Sequence, residues 1–206
     1  MARALEHLKS DHPLVLALPR GGVPVAYEVA EALDAELDVL LVRKLGAPGH
    51  PELGVGAVVD GHDPRTVLNE AVLNEVRPSR EYLEAEVARQ LVEIERRRTA
   101  YRGKREAADP HGRTVIVVDD GIATGGTVRA ALQALRQAGP TRLVLATPVA
   151  PRDSLGVLSA EADEIVCLAS PDPFYAVGLY YADFTQTTDE EVVELLSRRR
   201  KLEAKA

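Results

Sequence analysis

The chain carries one cysteine, Cys167, so an internal disulfide is excluded. That residue lies in the apolar stretch EIVCLA, where a thiol serves as a small buried hydrophobe, and redox chemistry is not indicated. The five histidines, at 7, 12, 50, 62 and 111, show neither metal-ligand spacing nor an attendant cysteine cluster, which argues against structural zinc. No run approaches the roughly 18 apolar residues of a membrane span, and the start MARALEHLKSDHP holds no apolar stretch of signal-peptide length, so a cytoplasmic protein is expected. An excess of positive charge is also missing. The net charge of −7 disfavours broad nucleic-acid or membrane-surface binding. It leaves room for an anionic substrate, because charges are screened over about 8 Å at physiological salt and a few local cations and amides outweigh a distant balance. Repeats of 20 to 50 residues and low-complexity tracts are absent.

What is present fits a globular protein: 46% hydrophobic and 28% charged residues over 206 positions, a length expected to form one domain. LVLAL (Leu14 to Leu18) is a short apolar run followed by PRGG and then VPVAYEVAEALD, with Val25, Val29 and Leu33 four apart, giving strand, glycine turn, helix. LDVLLVRKLG (Leu37 to Gly46) is expected to be a second buried strand ending in Arg43 and Lys44. ELGVGAVVDG and RTVLNE form two short strands about a turn near Gly61 to Pro64, a small antiparallel flap. From Ser79 to about Arg105 the period changes, with Leu83, Val87, Leu91 and Ile94 at helical spacing. Acids come early, and Arg96, Arg97, Arg98, Arg102 and Arg105 come late, in keeping with the helix dipole. That arginine-rich end suits either a solvated terminus or a phosphate-attracting lid.

A third strand, TVIVVDD, precedes a helix from Thr127 to about Ala138, a strand RLVLATPV, a helix near Arg152 to Ala162 and a strand EIVCLA. Continuously apolar strands alternating with helices imply an α/β fold, a Rossmann-like parallel sheet covered on both faces. The segment Phe174 to Phe184 holds both phenylalanines and three of the six tyrosines, suited either to stacking on a planar ligand or to packing. A terminal helix follows, capped by Thr188 or Asp189.

The stretch VIVVDDGIATGGT, Val115 to Thr127, sets carboxylates beside bare backbone amides. A buried strand running through a glycine turn into a helix gathers N–H groups and the helix's positive end around one point, a phosphate cradle. Gly121, Gly125 and Gly126 allow close approach, and Thr124 and Thr127 add hydroxyl donors. Asp119 and Asp120 stand at the carboxyl end of the strand, where open α/β sheets bind ligands. Facing the phosphate they would repel it, so they are expected to turn toward ribose hydroxyls; a sugar phosphate satisfies both halves. The P-loop lysine is absent after Gly126, and G-x-G-x-x-G does not occur at this turn.

VIVVDDGIATGGT resembles the phosphoribosyl diphosphate (PRPP) signature of the type I phosphoribosyltransferases. LPRGGVPVA resembles that family's pyrophosphate loop, and VRKLG its basic pair after the second strand. The resemblance implies that Asp119 and Asp120 hold the ribose hydroxyls and that Gly121 and the run Ala123, Thr124, Gly125, Gly126 and Thr127 surround the 5′-phosphate. It further implies that Arg20, Gly21 and Gly22 line the pyrophosphate while Arg43 and Lys44 neutralise it. The implied reaction displaces pyrophosphate from C1 of PRPP by a nitrogenous base, with Mg²⁺ entering on PRPP near Asp119 and Asp120 rather than on protein ligands; Arg20, Arg43, Lys44, Asp119 and Asp120 are the implied catalytic set.

The resemblance also implies a flap or long-helix insertion over 62–105, a hood segment over 171–188 with Phe174 and Tyr175 near the base, a terminal helix over 189–206, and a homodimer or larger assembly working in nucleotide metabolism. Two residues depart from the pattern. Ala123 stands where the 6-oxopurine enzymes carry an acid, which disfavours a mechanism of that type, and Gly121 replaces a bulky apolar residue. The alternative is a non-catalytic sensor that binds PRPP or a nucleotide on the same fold. The pyrophosphate half, Arg20 with Arg43 and Lys44, favours the enzyme.

Overall fold

The computed structural model describes residues 1–61 and 65–203, so the centre of the expected Gly61–Pro64 turn, including His62, lies outside the described residues. Five strands form a parallel sheet in the order β2-β1-β6-β7-β8: β1 (Leu14–Ala17), β2 (Glu36–Val39), β6 (Thr114–Val118), β7 (Arg142–Val149) and β8 (Glu164–Ala169). The apolar runs of β1, β6 and most of β7 are continuous because both faces are covered. The edge strand β8 is half-buried to exposed, so Cys167, expected to be a buried hydrophobe, is only half-buried there. Val15 and Ala17 of β1 and Ile116 and Val118 of β6 join one buried cluster, which includes residues of α1 (Gly22–Leu33), α6 (Asp189–Glu203) and a 3-10 helix over Ala2–Asp11. Leu14, Leu16, Val115 and Val117 point the other way, into a cluster with α4 (Gly126–Gln137) and Leu158 of α5 (Arg152–Leu158).

A second, antiparallel sheet holds β3 (Val42–Ala47), β4 (His50–Val59) and β5 (Arg65–Leu68). The single strand expected over Leu37 to Gly46 is therefore two. Leu40 N–H donates to Ala17 O at 2.9 Å, still on the parallel sheet, whereas Leu41 O accepts from Asp60 N–H at 2.8 Å, already on the antiparallel one. An unbroken apolar run looks the same whether or not its pairing partner changes midway. RTVLNE likewise ends early. Asn69 Oδ1 accepts from Val72 N–H at 3.5 Å and starts α2 (Glu70–Val76), a helix too short to show a period. The helix near Arg152 stops at Leu158 rather than Ala162.

The long helix α3 spans Arg80–Arg102, and Ser79 caps it by accepting Tyr82 N–H at 3.2 Å. Its arginines have divergent fates. Arg96 and Arg97 pair with Glu93, and Arg98 pairs with Glu95. Arg102 is buried: its Nε donates to both oxygens of Asp38 at 3.1 Å, its Nη1 to Asp60 Oδ2 at 2.6 Å, and its Nη2 to Val39 O. That last arginine is a structural anchor between the two sheets, neither a lid nor a solvated end. At the terminal helix, Thr188 and Glu191 exchange hydrogen bonds, the backbone N–H of each donating to the other's side-chain oxygen, at 2.7 and 3.2 Å respectively.

Candidate functional site

Strands β2, β1 and β6 are neighbours, so the turns leaving their carboxyl ends lie side by side. The turn after β1 closes when Gly22 N–H donates to Leu18 O at 3.1 Å, and the Pro19–Arg20 peptide within it is cis. Two glycines allow it to abut the acid turn. A Cβ on Gly21 would lie 1.8 Å from Asp120 Oδ2, and one on Gly22 would lie 2.7 Å from Val118 O. No other residue type fits here without moving the acids.

Asp119 and Asp120 are half-buried. Asp120 N–H donates to Asp119 Oδ1 at 3.0 Å, which holds the two residues together. Burial, and for Asp119 also the charge of its neighbour, pushes both carboxyls above the ordinary range of 3.8. Two anions crowded this way call for hydroxyl donors or a cation.

Beyond them Gly125 adopts φ 76° and begins α4 without a side-chain cap, so the first-turn N–H groups, which have no partner within a helix, face outward. Ala123, Thr124, Gly126 and Thr127 are exposed around this point. The loop is held from below. Ile122 is buried and its N–H donates to Val149 O at 2.9 Å, Ser154 Oγ donates to Ala123 O at 2.6 Å, and a Cβ on Gly125 would meet Leu158 at 3.3 Å.

The basic pair is split by the strand pleat, which sends neighbouring side chains to opposite faces. Arg43 turns toward α3, where its Nε donates to Gln90 Oε1 at 3.0 Å, and Gln90 in turn donates to Glu86 at 2.9 Å. Lys44 lies on the other face, its methylenes 3.3 Å from where a Gly54 Cβ would stand. The pair therefore does not converge on one point. Arg20 Nη1 lies 3.8 Å from Asp189 Oδ1, at the first residue of α6.

The aromatic segment folds back over the acid turn. Phe174 stacks on Tyr180 with centroids 5.7 Å apart, while Tyr175 is 75% exposed. Val177 fills the space beside Gly121, where a Cβ would be 2.2 Å from its Cγ1. The missing bulk at 121 is thus supplied from 56 positions along the chain. Tyr181 donates its hydroxyl to Asp120 O, and burial with the two nearby acids pushes that phenol up to about 12. Val177, Tyr181 and Gln90 are site-lining or supporting residues that sequence reasoning did not single out, and Asp189 figured there only as a helix-cap candidate. Only the density of aromatics flagged the segment that holds two of them.

A model of the phosphoribosyl transferase domain matches residues 1–184. A Mycobacterium tuberculosis H37Rv protein named "Putative phosphoribosyl transferase" is 47% identical over 198 residues, covering 96% of this chain and 44% of that protein. The counterpart in strain CDC 1551 matches to the same extent. The crystal structure of TT1426 from Thermus thermophilus superposes with a TM-score of 0.84 at 48% identity, covering 96% of this chain and 92% of that one. The chain spans less than half the length of the curated relatives it matches.

Proposed function

The chain belongs to the phosphoribosyl transferase domain family, and from that premise we propose that it transfers the 5-phosphoribosyl group of PRPP to a nitrogenous base and releases pyrophosphate. The observation that carries the reading is the abutment of two turns, Gly21 against the Asp120 carboxylate, which brings the turn that carries Arg20 against the acid pair, with the exposed start of α4 following on the same chain. A ligand with one phosphate, two vicinal hydroxyls and a second anionic group matches that sequence of donors and acceptors. In the proposed pose the 5′-phosphate takes the N–H groups and hydroxyls of 123–127, each charge-assisted bond contributing roughly 1.5 to 3 kcal/mol. Asp119 and Asp120 accept from the ribose hydroxyls, which fixes C1 beneath the hood. A ring nitrogen of the base forms the new bond to C1 as the C1–O bond breaks, and that electron pair leaves with pyrophosphate. Arg20, Arg43 and Lys44 are the cations that act on the departing charge; the bond from Arg43 Nε to the neutral Gln90 amide leaves that guanidinium's charge in place.

Magnesium fits this site as an ion carried on PRPP. Among the described residues no group of three or more His, Cys, Asp or Glu side chains could hold a metal, whereas the crowded acid pair suits ribose hydroxyls and an ion's hydration shell. When bound it would neutralise part of the charge that leaves with pyrophosphate. The proposal extends to a cytoplasmic homodimer or larger assembly in nucleotide metabolism; among the described residues no helix is long and apolar enough to cross a membrane.

The deciding experiment assays pyrophosphate release with PRPP, Mg²⁺ and a panel of purine, pyrimidine and related bases. Release with at least one base is expected. Silence across the panel alongside tight PRPP binding would favour the sensor instead.

A further inference from the structure

We propose that Arg96 of α3 is a second anion-binding residue on the pyrophosphate side, held together with Arg20 by the carboxylate of Asp189. The three residues come from distant parts of the chain: the turn after β1, the later half of the long helix, and the start of α6. Arg20 Nη1 lies 3.8 Å from one oxygen of Asp189, and Arg96 Nη1 lies 3.6 Å from the other. Both separations exceed hydrogen-bond length, so the carboxylate attracts the two guanidiniums without consuming their donors. Arg96 commits only its Nε and Nη2, at 2.9 and 3.0 Å, to Glu93, and its side chain is 54% exposed.

Two guanidiniums this close repel each other unless an anion sits between them. Asp189 supplies that anion, and its position is fixed by the hydroxyl of buried Tyr101, which donates to Oδ1 at 2.5 Å. That hydrogen bond, followed by the nearby arginines, holds the carboxyl below its ordinary range, while the Tyr101 phenol is pushed up to about 12 and stays a donor. The result is a preformed cluster, Arg20, Arg96 and Arg97 against Asp189 and Glu93, with one positive charge in excess and anchored on a buried phenol. Fixing two long arginines before the ligand arrives removes an ordering cost from binding. The assignment rests on the transferase reading for the place of Arg20 beside the pyrophosphate. It adds α3 and α6, neither of which the motif residues belong to, to the binding machinery.

The test is calorimetric titration with two probes: ribose 5-phosphate alone, which needs the acid pair and the cradle, and magnesium pyrophosphate added to protein saturated with ribose 5-phosphate. Arg96→Ala should weaken pyrophosphate about tenfold, as loss of one charge-assisted contact requires, Asp189→Ala should weaken it comparably by releasing the two arginines, and both should leave ribose 5-phosphate unchanged. Arg98→Ala, two residues along the helix and paired with Glu95, should change neither. Pyrophosphate affinity retained within about twofold in both Arg96→Ala and Asp189→Ala would overturn the inference. Tighter pyrophosphate binding in Asp189→Ala would also overturn it, by showing that the carboxylate competes for the arginines. If Asp189→Ala does not fold, Arg96→Ala and Asp189→Asn, which keeps an acceptor for Tyr101, decide alone. Wild-type protein that binds neither probe would sink the transferase reading itself, whereas binding of both with no effect of these substitutions sinks only the present inference.

Discussion

Asp120 is the residue on which most of the site turns. Its carboxylate fills the space a Gly21 side chain would need, and its carbonyl accepts from Tyr181. Asp120→Asn should weaken PRPP binding by roughly 10- to 100-fold, the equivalent of one charged hydrogen bond. Stability should move little. A carboxyl whose pKa rises on folding adds stability while protonated and loses it as pH rises through the folded value. Above the folded values the ionised pair is therefore a liability to the empty protein, and replacing one member should there leave the thermal midpoint unchanged or higher. The same shift predicts that PRPP affinity falls on acidification at a higher pH than two ordinary carboxylates at 3.8 would dictate, because the protonated pair loses acceptors. Titrations at stepped pH on wild type and Asp120→Asn check both. Gly121 and Val177 form a second residue-scale test. Gly121→Val should displace the hood by overpacking, and pairing it with Val177→Ala should restore PRPP affinity, because the Cβ clash at 2.2 Å is with Val177 alone among the nearest atoms.

Among the elements, α3 has the least conventional anchorage. It is held at its end by Arg102, with Asp38 and Asp60 on either side and the backbone carbonyl of Val39 completing the guanidinium's bonds. Arg102→Met would leave two buried carboxylates without their cation and should cost about 3 to 5 kcal/mol in a urea unfolding experiment. Arg98→Ala, at an exposed pair on the same helix, should cost less than about 1 kcal/mol. A run of late arginines was visible in the sequence; which one is buried was not, because that depends on where β2 and β4 end in space.

The whole molecule divides its stability unevenly. The strands of the parallel sheet's centre, β1 and β6, are buried along their full length, whereas β5 alternates half-buried with exposed residues and α2 buries none fully. Hydrogen exchange should therefore release amides of 65–76 well before those of β1 and β6, and equal protection would contradict this ordering.

The sequence by itself determined the parallel α/β sheet, the long helix and the corner of strand, acid pair, glycine turn and helix, because each is written in local periodicity and turn chemistry within a few tens of residues. Only the tertiary structure decided that the second strand changes sheets, that Arg43 turns to α3 while Lys44 turns away, that Val177 occupies the space Gly121 leaves, and that Asp189 gathers Arg20 with Arg96. Those outcomes depend on which distant side chains meet, and meeting is set by packing and strand order, which no local pattern encodes.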